Sequence, residues 1–331
     1  MSTNRNGIYF NILSLVSLAL FATCTTLKAQ SYPVKPVRLI VPFASGGGTP
    51  DSVARIIGQA LSSQTGQTFI VDNRPGANGL IGAELLAKSP PDGYTLMIVS
   101  TSFSINPSMY KKLPYNWRTD FTPVTNICGV EALFVLVNPS VPARTLQEFI
   151  AYAKRPENKV SYGSPGIGNS LHLAAELLNN RAGIKMVHIP YKGSGPAMAA
   201  LIAGDIQAML LTPPQTIQGV KAGQVRALAY TGKKRASFLL EVPTTGEAGL
   251  QGMEFDGGWF AMFGPANMPE TLLNKIHSEV RAALSTTTVR ERFDAMGLVS
   301  LGTSPAEFRP FLESQVKAYA EMIKLAGVDP E

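Results

Sequence analysis

From Pro33 onward, short apolar runs rich in β-branched residues alternate with longer stretches in which apolar residues recur every three or four positions. Gly, Pro, Ser and Asn mark nearly every junction. This alternation predicts an α/β fold, a mainly parallel sheet covered by helices. Val37-Arg38-Leu39-Ile40-Val41 is the first strand. It runs into Pro42-Phe43-Ala44-Ser45-Gly46-Gly47-Gly48, after which Thr49-Pro50-Asp51 opens a helix with Thr49 as N-cap, Pro50 at the first helical position and Asp51 in the first turn. Val53, Ile56, Ile57, Ala60 and Leu61 make its buried stripe. A strand at 68–71 ends in Asn73-Arg74-Pro75-Gly76-Ala77-Asn78-Gly79, and a helix at 80–88 leads to a strand at 94–99 closed by Ser100-Thr101-Ser102. The stretch 107–125 has no clear period and reads as a connecting segment.

Beyond it the alternation resumes. A strand at 133–137 precedes a helix whose Thr145 and Glu148 have the spacing of a capping box. A short strand at 160–162 then meets Gly163-Ser164-Pro165-Gly166-Ile167-Gly168-Asn169-Ser170, a second glycine-rich loop opening a helix at 171–180. A strand at 186–189, the loop Tyr191-Lys192-Gly193-Ser194-Gly195-Pro196 and a helix ending near Gly204 follow. Strands at 205–211, ending in Thr212-Pro213-Pro214, and at 225–230 complete this half. Each half thus repeats strand, glycine loop, helix, strand, second glycine loop, helix, and ligands of parallel α/β sheets bind at the carboxyl ends of strands, where these loops sit. Two lobes around a cleft are expected. A strand at 259–264, an amphipathic helix at 269–284 and a last helix opened by Ser304-Pro305-Ala306-Glu307 and stopped near Gly327 are expected to return to the first lobe. The expected division is 1–29 leader, 30–125 lobe 1, 126–230 lobe 2 and 231–331 the return to lobe 1.

The leader changes the compartment. Residues 1–29 carry Arg5, an apolar run from Ile12 to Ala22 and small polar residues up to Leu27-Lys28-Ala29, the plan of a signal peptide cleaved near Ala29. The run is about half of the ~20 apolar residues that a spanning helix needs. Cys24 would leave with the leader, and the stretch before it is only a loose lipoprotein box. Cys128 then stands alone. A chain of 331 residues with 45% hydrophobic and 16% charged content has the composition of a folded globular protein and argues against disorder. Its net charge of +6 is scattered, with no Lys/Arg run to track a phosphate backbone, so nucleic acid is not an expected partner. Three His and two Cys, far apart, offer no zinc-ligand spacing, and no metal or cofactor is expected.

The candidate chemistry is anion binding. Unpaired backbone N–H groups converge at helix N-termini, and the helix dipole favours negative charge there, so two facing glycine loops suit one shared carboxylate. Neither loop is a nucleotide motif: Asp51 stands where the third dinucleotide glycine would be, and no GxxxxGK occurs. Asp51 reads either as a dipole partner or, facing the cleft, as an acceptor for a ligand hydroxyl, ammonium or water. Thr212, at the end of its strand, is placed for contact with ligand. The rival class is a hydrolase or transferase using the cleft around His172, the one histidine beside a glycine loop, but no GxSxG elbow is present.

The leader, Pro42-Phe43-Ala44-Ser45-Gly46-Gly47-Gly48 with Asp51-Ser52-Val53-Ala54-Arg55, Asn73-Arg74-Pro75-Gly76-Ala77-Asn78-Gly79, Tyr162-Gly163-Ser164-Pro165-Gly166-Ile167-Gly168 with His172-Leu173, and His188-Ile189-Pro190-Tyr191-Lys192-Gly193 together resemble the tripartite tricarboxylate receptor family, the Bug receptors. Val242-Pro243-Thr244, Glu247-Ala248-Gly249 and Gly258-Trp259-Phe260 extend the resemblance over the whole exported chain. It implies a type II periplasmic binding-protein fold and a non-enzymatic periplasmic receptor that delivers a mono-, di- or tricarboxylate or an aromatic acid to a tripartite-type permease or a sensor. The receptor is expected to be a monomer. It also implies that residues 43–48 and 164–170 hold one carboxylate through backbone N–H groups and ordered water. On this chain those are Phe43, Ala44, Ser45, Gly46, Gly47 and Gly48 facing Ser164, Pro165, Gly166, Gly168, Asn169 and Ser170. Asp51, Asn78, Ser100, Thr101, Ser102, Tyr191, Lys192, Thr212 and Trp259 are the remaining candidate ligand contacts. Thr49-Pro50 is one residue longer than the commoner family pattern, in which Asp follows Gly-Gly-Thr directly.

Overall fold

Val37, Leu39, Ile40 and Val41 are wholly buried, so the first strand is apolar on both faces, as a strand covered by helices on both sides must be. In the computed structural model, which describes residues 32–46 and 48–330, it is β1 (Val37–Val41). The expected signal peptide, its cleavage point, Cys24 and Gly47 lie outside the described residues. β1 pairs in parallel with β2 (Phe69–Asn73) and β3 (Thr95–Ser100). The same sheet takes in β4 (Phe121–Val130), β10 (Gly258–Pro265) and β11 (Leu298–Ser300), in the order β11-β4-β10-β3-β1-β2. The second sheet holds β5 (Phe134–Val137), β6 (Ser161–Ser164), β7 (Val187–Pro190), β8 (Ala208–Leu211) and β9 (Arg226–Tyr230), in the order β7-β6-β8-β5-β9.

Both sheets are mixed, not mainly parallel. β6 is parallel to β7 and β8, while β5 runs against β8 and β9. β10 runs against both β3 and β4 because it carries the chain back from the second sheet, and β11 runs against β4. The sheets also move the expected lobe boundaries. β4 stays in the first sheet to Val130, and residues 231–257 pack on the second core through Ala236, Leu239, Val242, Leu250 and Met253. The crossings therefore lie just after 130 and at 257, not at 125 and 230.

The helices are α1 (Thr49–Thr65), α2 (Leu80–Ala87), α3 (Ser102–Met109), α4 (Leu146–Ala153), α5 (Ser170–Ala182), α6 (Ser194–Ala203), α7 (Pro213–Lys221), α8 (Glu270–Ser285), α9 (Thr287–Ala295) and α10 (Pro305–Ala326). α4 and α10 open with complete capping boxes, Thr145 with Glu148 and Ser304 with Glu307. α3 and the first residues of β4 occupy part of the stretch read as a connector. Pro107 inside α3 hid it, since proline removes a helical donor, but the helix is held by the buried Phe103, Ile105 and Met109. Phe103 stacks at 6.0 Å on Tyr115 and meets Phe121 and Phe263 at 5.0 and 4.5 Å. Helix α10 packs on both halves: Phe308 and Leu312 join the first core, while Tyr319 and Ile323 meet Ile105 and Met109 of α3 and Leu173 of α5.

Candidate functional site

The carboxyl ends of β1 and β6 release the two glycine loops toward each other. Phe43 from the first and Pro165 from the second line both of two adjoining cavities. The inner one, about 30 Å³, is lined with hydroxyl and amide groups: Thr49, Ser100, Thr101, Asn169, Ser170, Ser194 and Thr212, with Phe260 and Gly257. The space is about that of one water in the liquid. The outer one, about 220 Å³, is mostly apolar, with Pro42, Pro75, Tyr110, Ile167, Pro190 and Tyr191 around Asn78, and Lys192 as its one cation among the described residues. Lobe-to-lobe contacts ring these spaces. The Thr49 and Thr212 hydroxyls lie 2.8 Å apart. A Cβ on Gly48, whose φ is 108°, would come within 2.9 Å of the Ser194 Cβ, and one on Gly168 within 2.9 Å of the Met109 Cγ. Glycine at these two points lets the loops approach so closely.

The first loop is organised from behind by Asp51. Its carboxylate accepts from the Gly46 N–H at 3.0 Å, from the Asn73 amide at 2.9 Å and from Arg55 at 2.9 and 3.1 Å. Burial pushes this carboxyl up, but the hydrogen bonds from Arg55, Asn73 and Gly46 together with the Arg55 charge outweigh it, and it sits below its ordinary value. Asn73 also donates to the Phe43 carbonyl at 3.0 Å, and Arg55 reaches the Ser45 hydroxyl at 3.1 Å. Asp51 and Ser45 thus hold the loop in shape, and the Gly46 N–H is already used. Gly48, not Thr49, is the N-cap of α1, with φ 108° and ψ −156°. The Thr49 hydroxyl, free of capping, crosses to Thr212.

The second loop rests on a stack of two buried rings, Tyr162 and His172, and the half-buried His188. His172 and His188 lie ring on ring at 4.0 Å, and Tyr162 stacks on His188 at 4.9 Å. Gly168 N–H donates to His172 Nδ1 at 3.1 Å. Ser164 Oγ lies 2.6 Å from His188 Nε2, accepts from the Gly166 N–H at 3.2 Å and approaches the Gly166 carbonyl at 3.0 Å. Burial pushes both imidazoles down to about 4, His188 also through the neighbouring His172 and against the pull of Glu176. The Tyr162 hydroxyl donates to Glu176, which also accepts from Asn179. Ser164 and His188 have the spacing of a nucleophile and its base, yet Ser164 is fully buried and its hydroxyl is engaged within its own loop.

Of the candidate contacts, Phe43, Ser100, Thr101, Pro165, Asn169, Ser170 and Thr212 meet at the inner cavity, and Asn78, Gly166, Tyr191 and Lys192 at the outer one. Ala44, Ser45, Gly46, Gly48, Ser164 and Gly168 of the loops, and Asp51 in the first turn of α1, line neither space. Ser102 is buried behind Ser100, their hydroxyls 3.0 Å apart. Trp259 is placed in the first core instead of the cleft: its ring meets Phe308 and Phe311 edge-on, and its indole N–H donates to Gln315. Only its backbone approaches the site, donating to the Thr101 hydroxyl at 2.8 Å. The sequence reading missed Ser194 and Thr49 as lining residues. Ser194 opens a helix directly after Gly193, in the loop 191–196 that the sequence already marks as a helix opening, and that signal could have found it.

Comparison with known proteins decides the family. The model of the tripartite tricarboxylate transporter family receptor matches residues 53–328. The chain belongs to that family. Protein BugT of Bordetella pertussis is 32% identical over 315 residues, 94% of this chain and 95% of that protein. Among solved structures, the periplasmic binding protein BugD superposes with a TM-score of 0.86 at 32% identity, covering 91% of this receptor and 100% of BugD. A structure from R. palustris with adipate superposes equally well, TM-score 0.86, at 33% identity over 91% of this chain and 100% of that one. The two-lobed α/β periplasmic binding-protein fold of this receptor follows from these superpositions and from its two sheets.

Proposed function

We propose that this receptor works in the periplasm, where it captures a small organic carboxylate between its two glycine loops, closes on it and delivers it to a membrane permease of the tripartite type. The observation that carries the reading is the inner cavity: two lobes converge on a small, hydroxyl-rich space at the N-termini of α1 and α5, with no carboxylate side chain in its lining among the described residues. Helix N-termini and hydroxyl donors together favour an anion there, and the size of the space suits a water that bridges to a carboxylate entering from the outer cavity. The apolar outer cavity accommodates the body of the acid, and the adipate found in a related structure has this chemistry. Because the cavities are made by both lobes, ligand favours the closed arrangement, in which alone it touches both. Residues 1–29 act as the export signal in this reading.

The test is a thermal-shift and calorimetric screen of the exported chain against adipate, other aliphatic mono-, di- and tricarboxylates and aromatic acids, with amines and neutral amides as controls. A ligand at a hundred times its Kd adds about 2.7 kcal/mol, roughly 5–10 °C in Tm for a domain of this order. Stoichiometric binding of an acid recovered unchanged, with its amide inactive, is the expected result. Binding of amines or neutral amides in preference to every acid would overturn it.

A further inference from the structure

The stack beneath the second glycine loop has no part in the contacts assigned above, yet the Gly168 N–H ends on it directly and the Gly166 N–H leads to it through Ser164. A backbone N–H can only donate, so the 3.1 Å bond from Gly168 requires a lone pair on His172 Nδ1. His172 is therefore neutral, with its proton on Nε2. Its partner His188 lies 4.0 Å away, ring on ring, and reaches Ser164 Oγ, the atom that also takes the Gly166 N–H. Gly166 and Gly168 flank Ile167, which lines the outer cavity, and Gly168 packs on Met109 across the lobes. The groups facing the pair are Tyr162 from β6, with its hydroxyl on Glu176, and Glu176 from the same helix as His172. A second positive charge at 4.0 Å from a first is unfavourable, and a protonated Nδ1 would point a hydrogen at the Gly168 N–H.

We infer that the neutral His172–His188 stack is a positioning element that sets the Gly166–Gly168 turn, and that protonating it releases the turn and weakens capture in acid. This rests on the carboxylate reading of the cleft only for the last step. The turn itself is testable without ligand. Burial already holds both imidazoles near 4, so the change is centred near pH 4 and is only half complete there.

The experiment follows the ¹⁵N-labelled exported chain by NMR from pH 7 to about pH 3, reading the imidazole nitrogen shifts and the hydrogen-exchange protection of the Gly168 amide. The expected wild-type result is an Nε2–H tautomer at pH 7 and at least tenfold loss of Gly168 protection as His172 protonates. His172→Phe keeps a ring in the stack and removes the acceptor, so protection is lost at every pH. His172→Asn puts an untitratable oxygen near the Nδ1 position, so protection returns and no longer changes with pH. Adipate affinity measured in parallel falls in both proteins as the acid itself protonates, and at each pH the wild type loses more than His172→Asn, by about twofold at pH 4 and more below it. A proton on Nδ1 at pH 7, or Gly168 protection in wild type that does not follow His172, would overturn the inference, and neither reading depends on a variant folding. If the amide behaves as stated but no acid binds, the cleft reading fails while the positioning role stands.

Discussion

Replacing Thr212 by Val removes one hydroxyl and keeps the side-chain shape, and the structure says what that hydroxyl does. It lies 2.8 Å from the Thr49 hydroxyl of the other lobe and, although Thr212 is the N-cap of α7, makes no capping bond. The carbonyl of Thr212 still accepts from Thr216, so the helix start is untouched. In an open receptor both hydroxyls meet water; in the closed one they meet each other. A hydrogen bond of this kind contributes about 0.5–1.5 kcal/mol net, and the Thr49 hydroxyl left without its partner in a buried place adds to the loss. About 1–2 kcal/mol against closure is expected, or roughly 5- to 30-fold in Kd for a receptor that is mostly open when free.

Thr212 also lines the inner cavity, so a weaker Kd alone could report a lost ligand contact. A double-mutant cycle with Thr49→Val separates the two. If the pair is a latch, the second substitution costs little once the first is made, and the coupling is about 1 kcal/mol. Calorimetry with a bound carboxylate gives the four affinities, and small-angle scattering gives the compaction. The ligand-free Tm should change by less than about 2 °C, since neither hydroxyl bears on either core. Strictly additive losses, within about 0.3 kcal/mol, would refute the latch and leave two independent ligand contacts.

Asp51→Asn should lower stability by about 1–2 kcal/mol in chemical denaturation and weaken ligand capture, because the Gly46 and Arg55 bonds lose their charged acceptor. Since the folded carboxyl lies below its ordinary 3.8, the stability it contributes is complete above that value and declines as pH falls through the folded value; an acid unfolding series on Asp51→Asn should lack that component. Gly82→Ala sets a gain of about 1 kcal/mol in helix propensity against a new Cβ 2.8 Å from the Pro42 Cβ, and overpacking of about 1–3 kcal/mol wins, so Tm should fall. Ser304→Ala removes the box that opens α10 and should cost about 1 kcal/mol, read as a lower denaturation midpoint with an unchanged slope.

Much of the fold is legible because its cues are local. Thr145 with Glu148 and Ser304 with Glu307 each carry their cap in four consecutive residues, and β1, β3 and β10 are apolar enough to be strands whatever surrounds them. What escapes the sequence depends on where distant segments go. Strand direction is one case, since nothing within Gly258–Pro265 records that the chain has just come back from another sheet. α3 is another, where three buried side chains outweigh a proline that read as a break. Trp259 is a third: next to a glycine at the end of a loop it reads as a pocket wall, and only the arrival of Phe308, Phe311 and Gln315 from α10 draws it into the core.

The site divides along the same line. Glycines that open helices mark the loops from sequence alone, because positive φ and exposed helix N–H groups are properties of the loops themselves. Which of those N–H groups remain for a ligand is not such a property. Asp51 consumes the Gly46 N–H, Ser164 that of Gly166, and His172 that of Gly168, each from a residue that sequence reading places nearer the ligand or the chemistry than behind it. In both loops, then, the polar residues beside the glycines spend themselves on shaping the turn. The groups left to meet an anion are the unclaimed helix N-terminal amides and the hydroxyls of Thr49, Ser170, Ser194 and Thr212, one from each of four helix starts, with Thr49 on the first lobe facing the other three on the second and paired with Thr212 where the space closes. Selectivity by such a lining comes from the shape of the closed cavity and from water, since hydroxyls accept as readily as they donate, so changes at Thr49 or Thr212 should alter which acids fit as well as how tightly they are held.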